Sequence, residues 1–159
     1  MTGHSEAPDL IDFGDLTPRT NALLQHGVLA YRRDPLRARA LFERALAETP
    51  DQLPVHFCLY KIHTYQGRLD EALDSAERGL DEAARQAGWP KNWQSWERPA
   101  AFAGAARFAL YTLKALAFIR LKRGETRAAE EILAALRALD PEGRVGWPVI
   151  AALAEGCAA

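Results

Sequence analysis

The sequence predicts an all-α chain, on three observations. Apolar residues recur at three- and four-residue intervals almost throughout, no stretch alternates apolar and polar residues convincingly, and Pro, Gly and capping residues punctuate the chain at helix-length spacing. Thr17 is a good N-cap with Pro18 in the first turn, opening a helix through RTNALLQHGVLAYRR that stops where Asp34-Pro35 caps and starts the next. That second helix, LRARALFERALAET, ends at Pro50. Asp51 and Pro54 restart the chain into VHFCLYKIHTYQ, which Gly67 ends in a left-handed C-cap. The following helix, LDEALDSAERGLDEAARQA, places Asp74/Arg78 and Asp81/Arg85 one turn apart on a solvated face. Beyond the segment GWPKNWQSWER, Pro99 and a run of Ala and Phe feed a helix through RFALYTLKALAFIRLKR to Gly124. ETRAAEEILAALRAL then runs to Asp140-Pro141, and WPVIAALAEGC closes the chain.

A length of 159 residues suits one domain with its own core, expected over residues 17–159. Residues 1–16 read as a flexible leader, acidic but with the apolar cluster Leu10, Ile11, Phe13 and Leu16. The 20 Lys and Arg balance 21 Asp and Glu to a formal charge of -1, which favours neither nucleic acid nor an acidic membrane as partner. Cys58 and Cys157 belong to no CxxC or Cys/His ligand pattern, so no disulfide framework, metal or cofactor is implied. The start MTGHSEAPDL lacks a basic n-region and apolar h-region, and the most apolar stretch is interrupted by Lys114. A cytoplasmic protein is the expectation.

Laid on one another, the helix pairs share a period of about 34 residues. In the middle unit Leu59, Tyr60, Gly67, Ala72, Ala76, Gly79 and Leu80 stand in register with Leu113, Leu116, Ala117, Gly124, Ala129, Leu133 and Pro141 of the last, and with Leu23, Gly27, Ala38, Phe42, Ala45 and Pro50 of the first. On these residues the chain resembles the tetratricopeptide repeat (TPR) family. The resemblance implies a right-handed superhelix of three helix-turn-helix units, about 20–50, 53–87 and 100–141. An insertion at 88–99 and a C-terminal capping helix at 143–157 complete the architecture. Two features depart from the family pattern: Arg120 stands where an aromatic is usual, and the insertion lengthens the junction before the third unit. The last helix, with Trp147, Val149, Ile150 and Leu153, would be a polar-backed cap.

The family's concave surface maps here onto Leu24, Val28, Tyr31 and Arg32, then Phe57, Lys61, Thr64 and Tyr65, then Tyr111, Lys114, Phe118, Leu121 and Lys122. Within that surface Tyr31, Arg32, Phe57, Lys61, Tyr65, Tyr111, Lys114, Phe118 and Lys122 are the expected partner-binding residues. Aromatics supply burial and basic heads meet carboxylates, which suits a peptide or partner helix with apolar anchors and some acidic residues. The blander alternative is that the insertion fills the groove. Some TPR modules clamp a chaperone's C-terminal carboxylate with Lys, Asn and Arg. The matching residues here are Leu24, Val28, Cys58, Tyr111 and Ala115, so that clamp is absent.

His56, Tyr60 and His63 share one helical face, a pattern open to metal or acid-base use, but in the repeat register they pack between the helices of a unit. Cys58 has no base on its own face. Phosphate loops and nucleophile elbows are absent from the sequence. Trp93 and Trp96 are read either as a secondary partner contact or, together with Trp89, as a stitch joining the ends of the flanking helices; the liability of exposed indoles favours the stitch. The resulting expectation is a non-catalytic interaction module, an adaptor or assembly factor with a protein or peptide partner. The alternatives are a chaperone for a secreted or assembling client and, in another class, an accessory enzyme or cofactor-handling protein. The leader PDLIDFGDL is expected to occupy its own or a neighbour's basic-aromatic groove, giving autoinhibition or a homodimer.

Overall fold

A computed structural model describes residues 13–158 and shows, among them, helices and no strands. The leader expected over residues 1–16 lies outside the described residues up to residue 12. Seven helices follow in order: α1 (Pro18–Ala30), α2 (Pro35–Glu48), α3 (Leu53–Tyr65), α4 (Leu69–Ala87), α5 (Gly104–Lys122), α6 (Thr126–Leu139) and α7 (Trp147–Ala158). Each packs on the next, and α3 also meets α5 while α5 meets α7. The odd-numbered helices therefore share one side of the molecule.

Local chemistry accounts for several helix ends. The Thr17 hydroxyl accepts the Thr20 N–H at 3.2 Å and the Asp34 carboxylate accepts that of Arg37 at 3.1 Å, each followed by a proline that lacks the donor a first turn would strand. At Gly67 the backbone takes φ 71°, a left-handed turn that lets the Arg68 N–H close on the His63 carbonyl at 2.9 Å. Asp51 does not cap α3; the cap position is Gln52, with no side-chain bond.

Helix pairs approach closely where a side chain is missing. A Cβ on Gly27 of α1 would fall 2.3 Å from the Phe42 ring of α2, and one on Gly79 of α4 would fall 2.9 Å from the His56 Cβ of α3. Ala38, Ala72 and Ala129 open the second helix of each pair and are fully buried. A first core gathers Leu23, Leu24, Phe42, Val55, Leu59 and Ile62 between α1, α2 and α3. A larger one runs from Leu53 through α4, α5 and α6 to Ala154 on α7. Burying one such Leu or Ile is worth about 1.5–3 kcal/mol, so these two clusters hold the stack together.

Four expectations are corrected. The helix expected from about residue 100 begins at Gly104, because the chain remains non-helical past Trp96 and is extended at Ala103. The insertion thus covers residues 88–103, with one 3₁₀ turn at Trp93–Ser95. Arg85 pairs with Glu82, and Asp81 reaches Lys91 instead at 3.5 Å, whereas Asp74 and Arg78 do pair at 3.6 Å. Finally, α7 is not polar-backed: Val149 is 66% and Leu153 48% exposed, leaving an apolar outer face.

Candidate functional site

The first helices of the pairs present aromatic and basic side chains to a common groove. Between α3, α5 and α7 it encloses a cavity of about 480 Å³. From α3 come Phe57, Tyr60, Lys61, Thr64 and Tyr65. From α5 come Tyr111, Lys114, Ala115, Phe118, Ile119 and Lys122, and α7 adds Ile150. A second cavity of about 230 Å³ continues over α1 through Val28 and Tyr31, sharing Phe57, Lys61 and Tyr65 with the first. The third, about 480 Å³, extends the other way past Pro54, Arg107 and Phe108, sharing Phe57 and Tyr111. Phe57 is common to all three.

The electrostatics are one-sided. Three of the four lysines in the sequence lie in this groove, and among the described residues no carboxylate lines its cavities. Each follows an aromatic by about one turn of its own helix and sits over that ring: Lys61 at 5.2 Å from Phe57, Lys114 at 5.8 Å from Tyr111 and Lys122 at 5.3 Å from Phe118. Among the described residues none of the three forms an ion pair, although Lys91, outside the groove, does. Burial, and then the proximity of Lys61, hold the Lys114 ammonium below the ordinary lysine value. An anion entering here would favour the charged ammonium and offset both effects.

Most expected groove residues converge. Tyr31, Phe57, Lys61, Tyr65, Tyr111, Lys114, Phe118 and Lys122 all line the connected cavities, as do Val28 and Thr64. Arg32 does not; it sits exposed in the turn beyond α1. Leu24 is fully buried and Leu121 is 9% exposed, so both belong to the core. Several lining residues lie outside the expected groove set, among them Tyr60, Ala115 and Ile119, Ile150 of α7, which the resemblance makes only a cap, and Phe13, which lines the second and third cavities. Phe13 had a signal in the apolar cluster of the leader.

The tryptophan segment is placed away from the groove. Trp96 is buried, its indole N–H donates to the Pro90 carbonyl at 2.6 Å, and its ring lies 4.8 Å from that of Trp89. Trp89 and Trp93 are half-buried against the same core. Trp96 therefore offers no partner surface, correcting the reading of it as a secondary contact. Its ring belongs to the core that also holds Ala83 and Ala84 of α4 and Ala109 and Leu110 of α5.

His56 and His63 are buried between α3 and its neighbours. His56 Nε2 is 2.8 Å from the Pro50 carbonyl, while His63 Nδ1 has no hydrogen-bond partner among the described residues. Burial holds both below the ordinary histidine value of 6.5; at His56 the hydrogen bond to the Pro50 carbonyl opposes this, Arg78 adds to it and Glu82 opposes it, and at His63 Arg68 and Arg39 add to it, against Glu71 and Glu43. Between its depressed native value and 6.5, the unfolded chain binds protons that the native chain does not. Stability therefore rises with pH across that window and is lost on acidification through it. Thermal melts should show a lower Tm at pH 5.5 than at pH 7.5, by roughly 2–4 °C per kcal/mol lost, and His63→Gln should shrink the difference. An identical difference in that variant would exclude His63 as a source. Burial pushes the Cys58 thiol up to about 12, keeping it protonated. Among the described residues no group of His, Cys, Asp or Glu could hold a metal ion, and no helix is long and apolar enough to cross a membrane.

Fold and site together define an all-helical protein with an open basic-aromatic groove on one side. Compared with known proteins, the chain matches no protein-family model, and neither the curated proteins nor the solved structures give a significant match.

Proposed function

We propose that this chain is a TPR-like right-handed superhelix of three helix-turn-helix units with a C-terminal capping helix, and that it acts as a non-catalytic protein-interaction module. It serves as an adaptor or assembly factor, holding a peptide or partner helix in the groove of the odd-numbered helices. The repeat reading is supported by the buried Ala38, Ala72 and Ala129 at matching points of the three pairs, and by the close approaches at Gly27 and Gly79. One observation carries the function: Lys61, Lys114 and Lys122 stand over aromatic rings in a groove that no carboxylate lines among the described residues. Such lysines are suited to acidic side chains that arrive with apolar anchors, because the rings supply contact area while the ammonium groups select charge.

The test is affinity capture with the wild type beside Lys61→Glu/Lys114→Glu and Phe57→Ala, with circular dichroism as a check on folding. A specific partner should be retained by the wild type and lose at least about tenfold in affinity in both variants, since each truncated anchor or reversed charge removes on the order of 1.4 kcal/mol or more. Capture should also weaken with added salt. A partner held equally well by folded variants would move the binding surface elsewhere.

A further inference from the structure

The groove already receives a part of this chain. Before α1 the backbone turns at Gly14, with φ 87°, and delivers Phe13 to the groove, where it lines both cavities that flank the main one. Phe13 and Leu16 pack on the core beneath α1 and α3. Phe13 lines the same two cavities as Phe57, which also lines the lysine-bearing one, and Pro-Asp-Leu-Ile-Asp at 8–12 directly precedes Phe13 in the chain.

Length and charge both match. Five residues extend at most about 17 Å, and the α5 face from Tyr111 to Lys122 is about 16 Å long at the helical rise. The segment carries Asp9 and Asp12 around Leu10 and Ile11, and the cavity carries Lys61, Lys114 and Lys122 around Phe118 and Ile119. Among the described residues the cavity is lined by no carboxylate, and its lysines form no ion pair.

Resting on the groove reading above, we propose that the groove is a site for acidic segments with aliphatic anchors, and that its resident is the chain's own Pro8-Asp9-Leu10-Ile11-Asp12, bound in cis from the seat of Phe13. An outside partner of the same chemistry binds by displacing it. Tethering makes the resident's effective concentration of millimolar order, so even a weak contact of this kind taxes an incoming ligand.

The experiment uses the full chain. A fluorescein-labelled peptide of residues 5–13 is titrated, by anisotropy, into the wild type and into Asp9→Lys/Leu10→Ser/Asp12→Lys, whose own leader no longer fits. The variant should bind the peptide at least tenfold more tightly than the wild type, and adding Lys114→Glu to the variant should abolish the gain. Equal affinity for wild type and variant would overturn occupancy in cis while leaving the groove as a peptide site. No binding to either would overturn the leader as a ligand, and the capture experiment with Lys61→Glu/Lys114→Glu would then decide the groove separately. A concentration-dependent dimer of the wild type, lost in the leader variant, would overturn the cis arrangement in favour of exchange between two copies.

Discussion

Trp96→Ala is expected to cost about 3–5 kcal/mol of unfolding free energy, the range for truncating a buried tryptophan. The indole is buried in the larger core, lies 4.8 Å from the Trp89 ring, and places its N–H on the Pro90 carbonyl at 2.6 Å. Removing it leaves a void that the surrounding core fills only in part, and takes the indole N–H from the Pro90 carbonyl. Trp93→Ala should cost less, since Trp93 is only half-buried. Trp96→Phe should keep most of the packing and lose about 1 kcal/mol for the hydrogen bond, beyond the smaller ring's contacts. Urea denaturation of the three variants checks the order, and a Trp93→Ala loss equal to that of Trp96→Ala would show that the two indoles do not divide the work as their burial indicates. The consequence reaches the groove, because α4 and α5 are the junction that sets where Tyr111 and Lys114 stand relative to Lys61.

Asp140→Ala is expected to cost about 2–4 kcal/mol, by orphaning backbone donors. Asp140 is 4% exposed, and its two carboxylate oxygens accept the N–H groups of Arg144 and Val145, both at 3.0 Å. Its carbonyl accepts the Trp147 indole N–H at 2.7 Å, and the Arg137 guanidinium lies 4.9 Å from the Trp147 ring. One residue thus organises the turn that seats α7. Asp140→Asn keeps one acceptor oxygen and should cost roughly half as much. The loss should appear in hydrogen exchange as deprotection centred on α7, and, since Ile150 of α7 lines the main cavity, as weaker peptide binding. Uniform deprotection across the helices would instead mean that the turn has no local role.

Much of the fold was legible because its instructions are local. Thr17-Pro18 and Asp34-Pro35 cap their helices with atoms three residues away, and Gly67 turns the chain by its own φ. The groove was legible for a related reason: Phe57 and Lys61, Tyr111 and Lys114, and Phe118 and Lys122 are one turn apart, so the helical period alone puts each pair on one face. Where two local options were equally good, the sequence did not choose. Arg85 had Asp81 and Glu82 both within reach, and the structure pairs it with Glu82 while Lys91 occupies Asp81. The start of α5 lies beyond the expected one: Pro99 and the alanines that follow suit a helix, yet the chain is still extended at Ala103 and enters α5 only at Gly104.

By itself, then, the sequence determined the helices, their order, and which side chains share a face, since these depend on periodicity and on residues within one turn of each other. Only the tertiary structure decided that Leu24 and Leu121 are core rather than groove, that Arg32 is outside it, that α7 lends Ile150 and leaves Val149 exposed, and that Phe13 is seated beside Phe57. The physical reason is the same in each case. A face of a helix becomes core or groove according to which neighbour covers it, and that neighbour is set by the packing of helices distant in the chain.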